Sequence, residues 1–206
     1  MKNIEESTSL NWHYITVASI FAAAILLAVL YLPQIKDIDS GILKSVKDFL
    51  SPYPQYIPGL MHEIGRNYYV WPLIASGGIL ISHRYYTEAF LLVFFTEASF
   101  PITNIIKNVV CRQRPCGDTY PGYSFPSGHS LTAMCFYGIL IYLVLRHTHG
   151  FWRYFLIFLF LCMTILAGIS RLWLGVHYPT DVIEGFLFGF ILVNICIILN
   201  KFLSRR

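Results

Sequence analysis

Residues 152–202 read WRYFLIFLFLCMTILAGISRLWLGVHYPTDVIEGFLFGFILVNICIILNKF. Two apolar runs, residues 152–170 and 182–202, fill most of this stretch. Each is close to the roughly 20 residues that a helix needs to cross a bilayer. The short segment between them holds a cation, an imidazole and a carboxylate: Arg171, His177 and Asp181. Charges beside lipid are costly, so those that a membrane protein keeps usually serve a function. The stretch therefore predicts two membrane-spanning helices joined by a functional turn.

The composition of the whole chain indicates an integral membrane protein. Of its 206 residues, 56% are hydrophobic and 13% are charged, about half of the roughly 25% that soluble domains carry. The net charge of +4 is too small to indicate a nucleic-acid partner. We predict an all-α, polytopic helical bundle that forms one domain over residues 1–206. Six apolar runs are expected to cross the membrane: residues 12–32, 67–82, 89–106, 129–146, 152–170 and 182–202.

An amphipathic helix is expected after the first span. Residues 35–50 place apolar side chains at helical spacing, with lysines and aspartates opposite them: Ile38, Ile42, Val46, Phe49 and Leu50. Such a helix is typical of the membrane interface, where it would border the path by which a lipid enters. A short helix packed in an extramembrane loop fits the same pattern, so both interpretations stay open.

Three polar clusters interrupt the apolar chain: residues 107–115 (KNVVCRQRP), 126–129 (PSGH) and 170–181 (SRLWLGVHYPTD). The first follows the third predicted span and the second precedes the fourth, so both lie on one side of the membrane. The third cluster comes two crossings later and returns to that side. The order of the spans therefore predicts that all three clusters meet at one membrane face.

The distribution of basic residues favours cytoplasmic termini. When the clustered residues Lys107, Arg112, Arg114 and Arg171 are left out, seven basic residues on the side of the termini stand against four on the other. The first apolar run is too long for the core of a signal peptide, and no small-residue cleavage site follows it. We therefore expect both termini in the cytoplasm and the clusters on the outer face.

The residue types in the clusters suit the binding of a phosphate group. Phosphoryl transfer depends mainly on charge neutralisation, and three cations are available: Lys107, Arg114 and Arg171. Ser127 is placed to cap the next helix, and Gly128 lets an anion approach the free N–H groups of that helix start. His129, in the first turn, is placed to donate a proton to such an anion.

His177 and Asp181 stand four residues apart at the start of the last span. A carboxylate beside a histidine fixes its tautomer and stabilises the imidazolium, as a nucleophilic or basic histidine requires. Each of these residues alone has a structural explanation, but their combination on one face indicates catalysis. A divalent metal held by His129, His177 and Asp181 is less favoured, because the fixed cations already supply positive charge.

These motifs resemble the three signatures of the type 2 phosphatidic acid phosphatase superfamily, which includes bacterial lipid phosphatases, glucose-6-phosphatase and vanadium haloperoxidases. Every motif position is matched: Lys107-x6-Arg114-Pro115, Pro126-Ser127-Gly128-His129 and Ser170-Arg171-x5-His177-x3-Asp181. The resemblance implies a membrane phosphatase that needs no metal or other cofactor. In a bacterium it would lie in the inner membrane. Its partners would be the bilayer and a lipid phosphate of the undecaprenyl diphosphate, phosphatidylglycerophosphate or phosphatidic acid class.

The resemblance also implies a role for each matching residue. His177 would be the nucleophile that forms a phosphohistidine, and Asp181 would orient it. His129 would protonate the leaving oxygen and later activate water. The other motif residues would bind the phosphate: Lys107, Arg114, Ser127, Gly128, Ser170 and Arg171. Lipid A phosphatases and phosphotransferases share this layout, and a non-enzymatic lipid-binding protein would need neither histidine.

Several polar residues lie outside this scheme. Arg112 is interpreted as a cation that snorkels from a helix end. Glu97 is expected to pair with a polar neighbour inside the bundle, while Glu184 is either functional or solvated at the interface. Cys111 and Cys116 are close enough in sequence to form a disulfide on an oxidising face, although only their proximity favours it.

Overall fold

The computed structural model describes residues 14–17, 19–27, 30, 34–54, 56–63 and 69–204. In these ranges the chain is helical and has no β-strand. The helices have these bounds: α1 Tyr14–Leu27, α2 Gln34–Leu50, α3 Tyr56–Glu63, α4 Val70–Ser82, α5 Tyr86–Val110, α6 Gly128–His147, α7 Gly150–Trp173 and α8 Pro179–Leu203. A short 3₁₀ helix, Gly117–Thr119, lies between α5 and α6. The predicted all-α fold class is confirmed.

Helices α5 to α8 have the length and apolar composition of membrane spans, with 25, 20, 24 and 25 residues. They match the last four of the six predicted runs and make the chain a multi-pass membrane protein. The run at residues 67–82 corresponds to α4, which has 13 residues and is roughly 20 Å long, shorter than the ~30 Å hydrocarbon core. The run at 12–32 corresponds to α1 and to residues outside the described part. Six spans therefore stay a prediction.

The close packing of α6 on α8 depends on two glycines of α8. A Cβ at Gly185 would lie 2.5 Å from the Ser127 carbonyl oxygen, and one at Gly189 would lie 2.7 Å from the Leu131 carbonyl oxygen. Small residues of this kind let helix backbones approach in membranes, where tight packing replaces the hydrophobic driving force. Buried apolar side chains of α5, α6 and α8 fill the core beside this contact: Leu92, Phe95, Cys135, Ile139 and Val193.

Helix α2 is amphipathic, and its apolar side chains face outward. Ile38, Ile42 and Phe49 are exposed, whereas Asp39 and Leu43 are buried against the protein. A soluble helix shows the opposite arrangement, with its apolar face against the core. A helix is present where the sequence predicts one, and its position in the membrane interface stays a prediction.

Candidate active site

The three polar clusters meet at one end of the helical bundle. The backbone N–H of Ser127, before α6, donates to the carbonyl oxygen of Asp181 in α8 over 2.9 Å. Nη1 of Arg114, after α5, lies 3.3 Å from Nε2 of His177. The prediction from the order of the spans is therefore confirmed, because all three clusters contribute to one site.

His177 lies in the turn between α7 and α8. Gly175 adopts φ +68°, a left-handed conformation that glycine accepts without strain. This turn buries the His177 imidazole, which is 4% exposed, with its Nδ1 3.4 Å from Oδ2 of Asp181. An imidazole nitrogen that faces a carboxylate carries the proton, which leaves the lone pair on the other nitrogen. Nε2 therefore presents its lone pair toward Arg114.

Asp181 is fully buried in the first turn of α8 and is held by several donors. Its Oδ2 accepts from the N–H of Tyr178 over 2.8 Å, in a capping box at the helix start. Its Oδ1 accepts from Nη1 of Arg112 over 2.7 Å. Since both oxygens have donors beside the histidine contact, the carboxylate has a fixed rotation.

The three predicted phosphate-binding cations are partly or wholly buried around this site. Arg114 is held by carbonyl oxygens, with Nε 3.0 Å from Gly122 and Nη1 2.9 Å from Val176. Burial lowers the pKa of the Arg114 guanidinium, although arginine stays charged in proteins. Lys107 donates from Nζ to the carbonyl oxygens of Tyr123 and Ser124.

Arg171, in the last turn of α7, is 1% exposed, and its Nε lies 3.1 Å from Oγ of Ser170. Burying a charge is costly unless it is paired or meets an anion. Two further cations lie within electrostatic reach of the buried imidazole, since both Lys107 and Arg114 oppose the protonation of His177. This concentration of positive charge suits an anionic ligand.

The PSGH segment forms the start of α6, as predicted. Ser127 is the N-cap, and its Oγ accepts from the N–H of Ser130 over 3.4 Å and from the hydroxyl of Ser130 over 2.9 Å. A Cβ at Gly128 would lie 3.2 Å from Cγ2 of Thr103, so the backbone passes close to α5 here. His129 follows in the first turn and is half-buried.

Burial lowers the pKa of His177 to about 4, and the pairing with Asp181 only partly offsets this effect. Desolvation disfavours the charged imidazolium, and the nearby cations Lys107 and Arg114 disfavour it further. The imidazole is therefore neutral at neutral pH, as a nucleophile must be.

A cavity of about 240 Å³ adjoins the site. His129 and Ser170 are among its lining residues, and the rest of the lining is mainly apolar side chains of α4, α6 and α7. The wall residues include Ala133, Phe136, Tyr137, Met163 and Leu166. An elongated apolar chain attached to a polar head fits this combination better than a water-soluble ligand does.

Two expectations about isolated charges need correction. Arg112 does not snorkel: its guanidinium is half-buried between Asp181 and Asp39, with oxygen contacts of 2.7 and 2.6 Å. Glu184 is not solvated, because it is fully buried in α8, and neither carboxylate oxygen has a hydrogen-bond partner among the residues that the structure describes. Asp39 falls among the apolar positions of α2, on the side of Leu43 and Leu50, but no local pattern names Arg112 as its partner.

The remaining expectations are met only in part. Glu97 has the expected polar partner, since the hydroxyl of Tyr69 lies 3.3 Å from it, but the pair is exposed and not inside the bundle. Cys111 and Cys116 are free thiols. Among the described residues, no group of three or more His, Cys, Asp or Glu side chains is arranged to hold a metal ion.

Comparisons with known proteins show the family. The family model described as PAP2 superfamily matches residues 85–205. Phosphatidylglycerophosphatase B of Bacillus subtilis is 28% identical over 177 residues, covering 82% of this chain and 86% of the relative. Lipid A 1-phosphatase of Rhizobium johnstonii is 34% identical over 113 residues, covering 47% of this chain and 42% of the relative.

A solved structure has the same fold over nearly the whole chain. The transmembrane PAP2-type phosphatidylglycerolphosphate phosphatase from Bacillus subtilis superimposes with a TM-score of 0.82 and 23% identity, covering 94% of this chain and 98% of that one. Aquifex aeolicus LpxE gives a TM-score of 0.59 and 21% identity, covering 76% of this chain and 93% of that one.

Proposed function

Because this chain belongs to the PAP2 superfamily, we propose that it is a lipid phosphatase that removes a terminal phosphate from a membrane lipid phosphate or diphosphate. One observation carries the proposal. A buried, neutral histidine has Nδ1 beside a carboxylate and Nε2 beside a guanidinium: His177 between Asp181 and Arg114. Binding alone needs no such polarised imidazole, whereas nucleophilic attack on phosphorus does.

The proposed first step forms a phosphohistidine. Nε2 of His177 attacks the phosphorus, an N–P bond forms, and the bond from phosphorus to the lipid oxygen breaks. His129 gives its proton to that oxygen, so the lipid leaves as an alcohol or a monophosphate. Asp181 holds the Nδ1 proton and stabilises the positive charge that develops on the ring.

The proposed second step releases inorganic phosphate. His129, now neutral, takes a proton from a water molecule as the water attacks phosphorus. A P–O bond forms, the N–P bond breaks, and His177 returns to its starting state. Each histidine thus ends the cycle with the protons it began with, and no metal ion takes part.

The phosphate oxygens are proposed to bind among the buried cations of the site. Lys107, Arg114 and Arg171 would neutralise them, and Arg114 would exchange its His177 contact for a phosphate oxygen. The hydroxyl of Ser127 and the N–H of Gly128 add donors at the α6 start, and Ser170 lies beside Arg171. This group of preorganised donors matches what phosphoryl transfer requires.

The apolar cavity supports a lipid as the substrate. His129 and Ser170 line it together with mainly apolar residues of α4, α6 and α7, so it offers apolar surface beside the proposed phosphate site. The relatives named phosphatidylglycerophosphatase B, lipid A 1-phosphatase and undecaprenyl-diphosphatase favour the same substrate classes.

We also propose the topology expected from the sequence. Six segments would cross a bacterial inner membrane, both termini would be cytoplasmic, and the site would open to the outer face. Helix α2 would lie in the outer interface, with Ile38, Ile42 and Phe49 in lipid.

The test is a phosphate-release assay in detergent micelles with phosphatidylglycerophosphate, undecaprenyl diphosphate, phosphatidic acid and lipid A 1-phosphate. We expect release from at least one lipid, unchanged by a chelator and lost in His177→Ala. With labelled lipid phosphate, acid-labile and alkali-stable label should appear on the wild-type chain only. Release from none of the lipids contradicts the function, loss with the chelator contradicts the metal-free mechanism, and full activity of His177→Ala contradicts the nucleophile.

A further inference from the structure

We infer that Asp39 and Arg112 form a positioning pair for Asp181, so that the interfacial helix α2 is part of the catalytic assembly. The inference rests on the proposed function, in which Asp181 orients His177. Asp39 lies outside residues 85–205, the part of the chain that the family model matches. Asp39 therefore adds a residue of α2 to the site from outside the matched part of the chain.

Arg112 connects the two carboxylates directly. Its Nη1 donates to Oδ1 of Asp181 over 2.7 Å, and its Nη2 donates to Oδ2 of Asp39 over 2.6 Å. The guanidinium also lies over the Tyr178 ring, 4.2 Å from the centroid. A planar, forked cation with three such contacts has little freedom to rotate.

Asp39 binds the start of α8 in addition to binding Arg112. Its Oδ1 accepts from the N–H of Thr180 over 3.2 Å, and its Oδ2 accepts from the Thr180 hydroxyl. The same hydroxyl accepts from Nη1 of Arg112 over 2.8 Å. Asp39 is 1% exposed, so a buried carboxylate of α2 is bound to the residue that precedes Asp181.

The burial of these charges makes the pair interdependent. Asp39 and Asp181 share one guanidinium, and removal of a partner from a buried ion pair leaves a charge without compensation. Both oxygens of Asp39 accept hydrogen bonds, so an asparagine at residue 39 would turn an N–H donor toward another donor. The strain would pass to Arg112, which Asp39 contacts directly, and through Arg112 to Asp181.

A second contact places α2 on the turn that carries His177. Nζ of Lys47 lies 3.0 Å from the position that a Cβ would take at Gly175. Helix α2 therefore contacts the chain on both sides of His177, through Lys47 before it and through Asp39 after it.

The experiment compares Asp39→Asn with Asp37→Asn, which removes a charge from an exposed position of the same helix. Using a lipid that the wild type hydrolyses, we expect Asp39→Asn to lower kcat about 10- to 100-fold, the range for loss of a group that orients a functional ligand. KM should change less than about threefold, because the phosphate-binding cations keep their contacts. Asp37→Asn should match the wild type.

Arg112→Lys is the second variant, because lysine keeps the charge but cannot bridge two carboxylates. We expect it to lower kcat with little change in KM, and this result tests the pair even if Asp39→Asn does not fold. In an Asp181→Asn background, measured by end-point phosphate release at high enzyme concentration, Asp39→Asn should lower activity less than about twofold, because the pair acts through Asp181.

The inference would be overturned by a kcat of Asp39→Asn equal to that of Asp37→Asn, or by the same factor of loss with and without Asp181. A fall in kcat that is matched by the fall in folded protein, measured by thermal unfolding in detergent, would also overturn it. A wild type that hydrolyses no lipid phosphate contradicts the proposed function instead.

Discussion

The two ends of the bundle carry the same three side-chain types but in different geometry. At one end Asp181 is fully buried, 2.7 Å from Arg112 and 3.4 Å from His177. At the other end Glu88 lies 3.7 Å from Arg146 and 3.6 Å from His147, and both partners are partly exposed. The presence of these three side-chain types, a carboxylate, a guanidinium and an imidazole, does not by itself make an active site.

The two ends differ in how deeply the imidazole is buried and in what surrounds it. The His177 imidazole is 4% exposed, whereas His147 is 23% exposed and its ring contacts Tyr85, 4.2 Å between centroids. In the described part of the chain, the Asp181 end also adjoins the capped start of α6, further buried cations and the apolar cavity. The chemistry of the carboxylate, guanidinium and imidazole therefore depends on their surroundings. Matched substitutions at the two ends can test this.

The largest effect is expected from the two histidines. His177→Ala should lower kcat by about 10⁴-fold or more, because a nucleophile has no substitute. His147→Ala should stay within about twofold of the wild type. Initial rates of phosphate release, with folding checked by thermal unfolding, decide this. Equal losses in the two variants would mean that both ends take part in the reaction.

Substitution of the two carboxylates should also lower kcat only at the Asp181 end, by a smaller factor than substitution of His177. Asp181→Asn is expected to lower kcat by roughly 10³- to 10⁴-fold, as loss of the orienting carboxylate does in other histidine-dependent sites. Glu88→Gln should leave kcat and KM nearly unchanged. Steady-state kinetics on the same lipid is the measurement, and a large loss in Glu88→Gln would contradict the comparison.

The arginines test geometry at constant charge. Arg171→Lys should lower kcat/KM about 10- to 100-fold, because lysine cannot make the bidentate phosphate contact. Arg146→Lys, at the other end, should have no measurable effect. If Arg171→Lys keeps full activity, Arg171 supplies only a point charge to the site.

The smallest effect is expected from acid pH. Burial lowers the pKa of His177 to about 4, so at pH 5 about nine-tenths of the free enzyme still has the neutral imidazole. Protonation removes the nucleophile, and kcat/KM should therefore fall only as the pH drops through about 4. A pH profile between 4 and 9 measures this, and an acid limb near 6.5 that follows His177 would show an imidazole exposed to water.

Much of the fold and of the site follows from the sequence. The apolar runs predict α5 to α8, because the length of a span is a local property of the chain. The order of these runs was enough to bring Lys107, Ser127 and His177 to one end. Within the predicted run 67–82, helix α4 covers Val70–Ser82, which is too short to cross the hydrocarbon core.

The contacts of α2 could not be predicted in the same way. At about 100° per residue, Asp37 and Asp48 share one face of α2, whereas Asp39 lies on the opposite face among the apolar positions, and only Asp39 is buried. The helical pattern therefore sets Asp39 apart but does not name its partners. The misinterpretation of Arg112 has the same origin, because its partners are 73 and 69 residues away in the chain. Tertiary contacts of this kind leave no periodic signal.

Gly185 has a consequence for the dimensions of the site. Its α-carbon hydrogens face the Ser127 carbonyl, and a Cβ there would lie 2.5 Å from that oxygen. Even a methyl group would act as a wedge between α6 and α8 and would separate the helix that carries His129 from the turn that carries His177. The separation of α6 from the turn that carries His177 thus depends on Gly185. The apolar cavity is lined by α4, α6 and α7, so its lining and this helix contact involve different residues.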